Sequence, residues 1–389
     1  MKICHVITRL VVGGAQENTI FTVNGLKEKG YDVDLVSGPT TGPEGSLEKQ
    51  VNTEKGISLI IVKELVRNIN PVYDIICLFK LIILFRKKRY DIVHTHSAKA
   101  GILGRIAAKI ACRKTAIIHT VHGLSFHEFQ SPLRNILYIT AEKIAAIFTD
   151  RFICVGGVMK EKSLRAGIGR EGEYSIVYSG FDIRPYVEAD RHREFKRKSL
   201  GIKDNEKVIG MVGRLYHLKG QEYLMEAFAE VVKEHPDTKL LIVGDGILRA
   251  DLEAFAKENN ISRKVIFTGL VPPSEIPGFI SAMDILVHTS LREGLPKAVA
   301  QGFAGGRPVL AFDVDGAKEL VVNDKTGYLI PPKDTSLLTG KINFLLKNPG
   351  ISYKMGENGR DVVSNLFPVE KMVGSIEKIY MELLEKNGR

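Results

Sequence analysis

Short β-branched runs alternate with helix-length amphipathic segments from one end of this chain to the other, and the alternation occurs twice. Such alternation is the pattern of βαβ units, in which strands run parallel and helices cover the sheet. In the first half it predicts strands at Lys2 to Ile7, Asp32 to Ser37, Ser58 to Ile61, Asp91 to Thr95, Ala116 to Val121 and Arg151 to Val155. The segment 183–207 breaks the pattern with the charged cluster RHREFKRK (Arg191 to Lys198), and a new strand begins at Val208. Strands are then expected near Val208 to Val212, Lys239 to Val243, Val265 to Thr268, Asp284 to Val287, Pro308 to Phe312 and Gly327 to Ile330. The expected organisation is a domain over 1–182, a linker over 183–207, a second domain over 208–367 and a C-terminal helix, 368–389, that packs back on the first domain. A chain of 389 residues, 44% hydrophobic, exceeds one ordinary core and suffices for two domains of roughly 180 residues.

Composition removes several classes. Charged residues near the soluble average exclude disordered and collagen-like chains. Cys4, Cys77, Cys112 and Cys154 lie far apart without metal-ligand spacing, so they read as buried thiols of a reducing compartment. The opening MKICHVITRL reads as a strand and a polar loop rather than a signal peptide. The longest apolar run, Ile75 to Phe85, contains Lys80 and falls far short of the roughly 20 residues of a spanning helix. A cytoplasmic protein is expected. Of the net charge of +10 most lies in the first half, where 26 Lys and Arg face 19 Asp and Glu up to Asp190, against 29 and 26 beyond it. That excess fits either anionic lipid or an acidic substrate, or an ordinary solvated surface. Nucleic acid is disfavoured, because Arg86 to Arg89 stand beside aliphatic residues rather than interleaved aromatics.

In open parallel sheets ligands bind beyond the carboxyl ends of the strands. The first strand leads into Gly13-Gly14-Ala15-Gln16, where glycines permit close approach of a ligand to the following helix or serve a plain tight turn. The loop lacks the GxGxxG spacing of a dinucleotide fingerprint. His94 and His96 end one strand candidate, and His119 and His122 the next. A metal site there is disfavoured, because no carboxylate or cysteine completes a ligand set. His122, in TVHG, is placed to hydrogen-bond a sugar hydroxyl as a neutral imidazole.

The strand at Val208 to Val212 ends in GRLYHLKG, which sets Arg214 and Lys219 between a strand and a helix. A guanidinium fork and an ammonium so placed form a diphosphate clamp that needs no metal, and they stabilise charge on a leaving diphosphate. Gly244, in VGDG, allows backbone approach or simply a turn. In EGLPKAVAQG, Pro296 suits the first helical turn and Gly294 and Leu295 offer backbone N–H groups, while Glu293 and, deeper in the helix, Gln301 serve either to accept hydrogen bonds from sugar and ribose hydroxyls or as a helix-capping acid and an interior polar residue.

Taken together, GGAQ (Gly13 to Gln16), VHTHSAKAGILGR (Val93 to Arg105), TVHG (Thr120 to Gly123), YSGFD (Tyr178 to Asp182), GRLYHLKG (Gly213 to Gly220), VGDG (Val243 to Gly246) and EGLPKAVAQGFAGGRPVLA (Glu293 to Ala311) make the chain resemble the family 4 retaining glycosyltransferases over essentially its whole length. The resemblance implies the GT-B fold, two facing Rossmann-like α/β domains with the active site in the interdomain cleft. It implies retention of anomeric configuration. A nucleotide-diphosphate sugar donor, UDP-linked, a glycan or lipid-linked saccharide acceptor and no metal or other cofactor are expected with it. By the same resemblance His122 and Glu293 are the catalytic candidates. Gly14, Arg214, Lys219, Gly244, Gly294, Leu295 and Gln301 are donor-side, and Gly13 and His96 acceptor-side. Gln301 departs from the family, which commonly carries a second glutamate eight positions after the first. An amide still meets ribose hydroxyls but supplies no charge.

Two rival functions share these features: a nucleotide-sugar epimerase of the same fold, and a nucleotide-sugar-binding protein without turnover. The basic, apolar stretch Ile69 to Arg89 adds the expectation of peripheral contact with an anionic membrane, on its inner face.

Overall fold

The computed structural model describes residues 1–41 and 45–386. They divide into two compact units, the first formed by Met1–Phe181 with the chain from Phe367 onward, the second by Asp182–Leu366.

The first unit is a parallel sheet of seven strands: β1 (Lys2–Ile7), β2 (Asp32–Ser37), β3 (Ser58–Ile61), β4 (Ile92–His96), β5 (Ala116–Val121), β6 (Arg151–Cys154) and β7 (Tyr174–Ile176), in the order β3-β2-β1-β4-β5-β6-β7. Side chains alternate between its faces. Ile3, Ile7, Ile92 and Ile118 pack under helix α1 (Gly14–Glu28) and the C-terminal helix Val369–Lys386. Cys4, Val6, Val93 and Ile117 pack on the other face under α2 (Pro71–Lys88) and α3 (Ala98–Ala111). Met372, Val373, Ile376, Tyr380 and Leu383, spaced three or four apart, form the buried stripe of the C-terminal helix. A methyl at Gly25 of α1 would stand 2.7 Å from Val373 Cγ2, so this glycine sets how closely the two helices pack. The last three residues of the expected 368–389 helix lie outside the described residues.

The second unit repeats the plan with β8 (Lys207–Val212), β9 (Thr238–Val243), β10 (Val265–Phe267), β11 (Ile285–His288), β12 (Val309–Phe312) and β13 (Gly327–Ile330), in the order β10-β9-β8-β11-β12-β13. In each sheet the order reverses between the first and the fourth strand, β1 and β4 or β8 and β11, and loops diverge there at the carboxyl edge.

Two expectations need correction. β7 was not foreseen; its three residues are too few to register as a run. Residues 183–207 are no linker, for they form the helices Arg184–Ala189 and Arg193–Ser199 within the second unit. The Arg193 guanidinium donates to the carbonyls of Ser281 and Met283 and to Asp284, 2.8 Å away, while Arg197, 5% exposed, caps the carbonyls of Ala282 and Lys203. Charge that marked a break in the pattern satisfies backbone acceptors of the second unit.

Candidate functional site

In the second unit the loops after β8 and β11 are stitched together. The Leu218 carbonyl accepts from the Leu291 N–H at 2.8 Å and from Ser290 Oγ at 3.0 Å, and Thr289 Oγ1 donates to the Gly220 carbonyl at 2.7 Å. Only glycine fits at 220, with φ +69° and a hypothetical Cβ 2.0 Å from the Thr289 carbonyl. Gly220 caps the helix Gln221–Glu234, and the loop before it delivers Lys219 Nζ to Glu293 Oε1 at 2.6 Å.

His288 Nε2 lies 3.1 Å from the same oxygen. A carboxylate only accepts, so His288 carries its proton on Nε2. Burial alone would raise the Glu293 carboxyl, but the Lys219 ammonium and the His288 hydrogen bond outweigh it and hold Glu293 well below the usual carboxylate range. The Glu293 N–H donates to Asp315 Oδ2 at 2.7 Å and the Gly294 carbonyl accepts from the Gly316 N–H at 3.2 Å, which fixes the loop from the β12 side. The result is an ionised carboxylate with a bound ammonium at the strand-order reversal.

At the corresponding place in the first unit, alternation puts His5 of β1, His94 and His96 of β4 and Thr120 of β5 on the face under the C-terminal helix, with His122 just past the end of β5. Thr120 Oγ1 lies 2.6 Å from His94 Nε2, and His94 Nδ1 lies 2.6 Å from the Tyr380 hydroxyl. That hydroxyl is 3.2 Å from His5 Nε2, His5 Nδ1 is 2.9 Å from His96 Nε2, and His96 Nδ1 is 3.0 Å from His122 Nε2. The imidazoles stack as well, with His94 and His96 centroids 4.4 Å apart. Burial pulls His5 down to about 3 and His122 to about 4, and lowers His94 and His96 well below the ordinary value, so all four are neutral around pH 7. Nitrogens of His5, His94 and His96 approach within 4.8 Å of one another, near enough to share an ion. All six ring nitrogens of the three are committed to the hydrogen bonds just given, and a cation would have to break them.

The family model described as Glycosyltransferase Family 4 matches residues 12–184, and that described as Glycosyl transferases group 1 matches 192–362. An Escherichia coli protein, UDP-Gal:alpha-D-GlcNAc-diphosphoundecaprenol alpha-1,3-galactosyltransferase, is 31% identical over 99% of this chain and 97% of its own. The chain belongs to the family 4 glycosyltransferases. A Staphylococcus aureus capsular polysaccharide biosynthesis glycosyltransferase, CapM, is 27% identical over 93% of each chain. In fold, Anabaena HepE, solved in complex with UDP and glucose, superposes with a TM-score of 0.84 at 22% identity, covering 98% of this chain and 100% of its own. The two Rossmann-like units are those of the GT-B fold.

Within this glycosyltransferase, Lys219, Glu293, Gly294 and Leu295 come together in the second unit. Arg214 is exposed on the same loop, its guanidinium 5.6 Å from the Tyr216 ring centre. Gly244, with φ +141°, has a packing reason of its own: a Cβ would lie 2.0 Å from the Gly213 carbonyl. Gln301 is 9% exposed and donates through Nε2 to the Tyr186 hydroxyl at 2.7 Å, a partner from the segment expected to be linker. Pro296 is the N-cap of the helix Lys297–Ala304 rather than a residue of its first turn.

In the first unit, Gly13 caps α1 and Gly14 opens it, with nothing within 4 Å of a Cβ on Gly14. His96, expected on the acceptor side, is fully buried and reaches the surface only through His122, because its position in β4 points under the C-terminal helix. His119 faces the opposite side of the sheet, bonded to Thr95 Oγ1 at 2.9 Å, and His5 takes the place expected for it in the cluster. His5, Thr120, Tyr380, His288, Asp315 and Tyr186 were not singled out in the sequence. For His288 a signal exists, a histidine at a strand end five residues before the glutamate.

Proposed function

We propose that this glycosyltransferase takes a hexose or related sugar from a UDP-linked donor held by the second unit and transfers it, with retention of configuration and without a metal, to a lipid-linked saccharide met by the first. The observation that carries the reading is the Lys219–Glu293 pair at the β8–β11 reversal. Lys219 spends one N–H on Glu293 and keeps two donors for a phosphate, and Arg214 extends from the same loop. As the bond between sugar and diphosphate breaks, charge gathers on the leaving phosphate, and fixed cations stabilise it where a divalent ion would otherwise serve. Glu293, ionised, accepts hydrogen bonds from sugar hydroxyls and holds no proton to donate.

UDP as the nucleotide and a lipid diphosphate saccharide as the acceptor follow the printed name of the E. coli relative, and retention follows the family resemblance. Peripheral membrane contact fits two helices of the first unit. Val72, Ile75, Phe79 and Ile83 form an exposed stripe on α2, above the basic end Arg86 to Lys88, and Leu133, Ile136 and Leu137 form another on the helix Pro132–Ala146. Among the described residues no helix is long and apolar enough to cross a membrane.

The test is transfer from labelled UDP-sugars to polyprenyl-diphosphate saccharides in excess chelator, with the product anomer read by NMR. Transfer that persists and gives the donor's anomeric configuration supports the reading. Transfer abolished by the chelator overturns its metal-free part, and an inverted product overturns retention.

A further inference from the structure

The hydrogen-bond chain in the first unit has a direction. Among the described residues the Thr120 hydroxyl, on a residue 3% exposed, has one hydrogen-bond partner, His94 Nε2. A buried hydroxyl left without an acceptor forfeits roughly 1–3 kcal/mol, so Thr120 gives its proton to that nitrogen. A neutral imidazole has one N–H and one acceptor nitrogen, and a phenol one O–H; tautomers are therefore assigned by following the network. His94 then donates through Nδ1 to the Tyr380 oxygen, and Tyr380 donates to His5 Nε2. His5 donates through Nδ1 to His96 Nε2, and His96 through Nδ1 to His122 Nε2. With Nε2 accepting, the proton of His122 sits on Nδ1. His122 is half-buried and lines a cavity with Ser97, Gly123, Leu124 and Phe126, and Nδ1 takes no part in the chain.

We propose that this chain locks His122 in its Nδ1–H tautomer, so that it meets substrate oxygen as a hydrogen-bond donor, with Tyr380 of the C-terminal helix as the positioning residue at the middle of the chain. The role toward substrate rests on the function proposed above; the tautomer does not. A donor at Nδ1 stabilises an oxygen that is accumulating charge and cannot take a proton from the acceptor hydroxyl, so His122 is not the general base. The last helix of the sequence thereby acts on a residue more than 250 positions earlier, through two buried imidazoles.

The experiment is long-range proton–nitrogen NMR on the full-length protein labelled at histidine, with the His122 signals assigned by His122→Asn. The wild type should show a single His122 tautomer, protonated at Nδ1 and bare at Nε2. Tyr380→Phe removes one oxygen, and Thr120→Val removes the proton that sets the direction; each should turn His122 into a tautomer mixture. Tyr380→Phe should also lower kcat roughly 3- to 10-fold, the scale of one neutral hydrogen bond, with donor KM unchanged. Tyr31→Phe is the control, because the Tyr31 hydroxyl anchors the same helix through Glu377 at 2.7 Å and lies outside the chain; it should leave the His122 spectrum as it is. A wild-type spectrum with the proton on Nε2, or one unchanged by both Tyr380→Phe and Thr120→Val, overturns the proposal. Neither result depends on whether UDP binds the second unit.

Discussion

The two units share a topology and differ in what each places where its strand order reverses. In the second, an ammonium and a carboxylate meet at 2.6 Å and stay 27% and 15% exposed. In the first, His5, His94 and His96 are fully buried, and none carries charge around pH 7. The difference follows from solvation: neutral imidazoles enter a core once each nitrogen has a partner, whereas burying a full ion pair costs several kcal/mol per ion and is avoided by leaving an edge in water. The charges of the proposed diphosphate site stay at the rim. The hydrogen-bond chain proposed to direct His122 runs through the core.

The largest test of this contrast is stability against pH. A histidine whose native pKa lies below its unfolded value of about 6.5 binds more protons when unfolded, so stability rises with pH between the two values and is lost as pH falls through that window. With burial pulling His5 down to about 3 and His122 to about 4, both contribute stability that is present above 6.5 and is lost as pH falls below it. Glu293, depressed from an ordinary value of 4.5, contributes loss only below that value. Denaturant melts from pH 7 to 4 should therefore show weakening from pH 6.5 downward. His5→Gln should flatten that part of the curve, and Glu293→Gln should leave it unaltered.

Next comes catalysis. Glu293→Gln keeps the shape and removes the charge that holds Lys219, and should lower kcat by roughly 10²–10³, the scale of losing one preorganised electrostatic contact. A wild-type rate in this variant would erase the functional meaning of the contrast. Smaller again is Arg214→Ala, expected to weaken UDP binding by about 1.5 kcal/mol, the low end for a charged hydrogen bond because this guanidinium is exposed. Calorimetric titration reads it directly.

Most strands were legible because each is a short run rich in β-branched residues set between longer amphipathic segments. Tyr174–Ile176 was not, being an edge strand of three residues. The cluster RHREFKRK misled because composition reports charge and not its partners, and Arg193 and Arg197 spend theirs on carbonyls about 85 to 90 positions away. In the site, Lys219 and Glu293 could be chosen by residue type and by position after a strand. Asp315 could not be joined to them, since that contact depends on how the loops after β11 and β12 meet, whereas His288, five residues before Glu293 at the end of β11, could have been. His5 is one histidine in an apolar strand; only the register that pairs it with His94 makes it part of a cluster. Tyr380, 375 positions from His5, joins through tertiary packing alone.

In the proposed function, the β8–β11 reversal of the second unit holds the donor diphosphate by side-chain cations. Its most direct test is calorimetric titration of UDP, in excess chelator, into the wild type and Lys219→Ala. The wild type should bind without metal, and the variant should lose about 2–3 kcal/mol, the upper range for a charge-assisted hydrogen bond. Equal affinity of the two proteins, or wild-type binding that appears only when a divalent ion is restored, would contradict it.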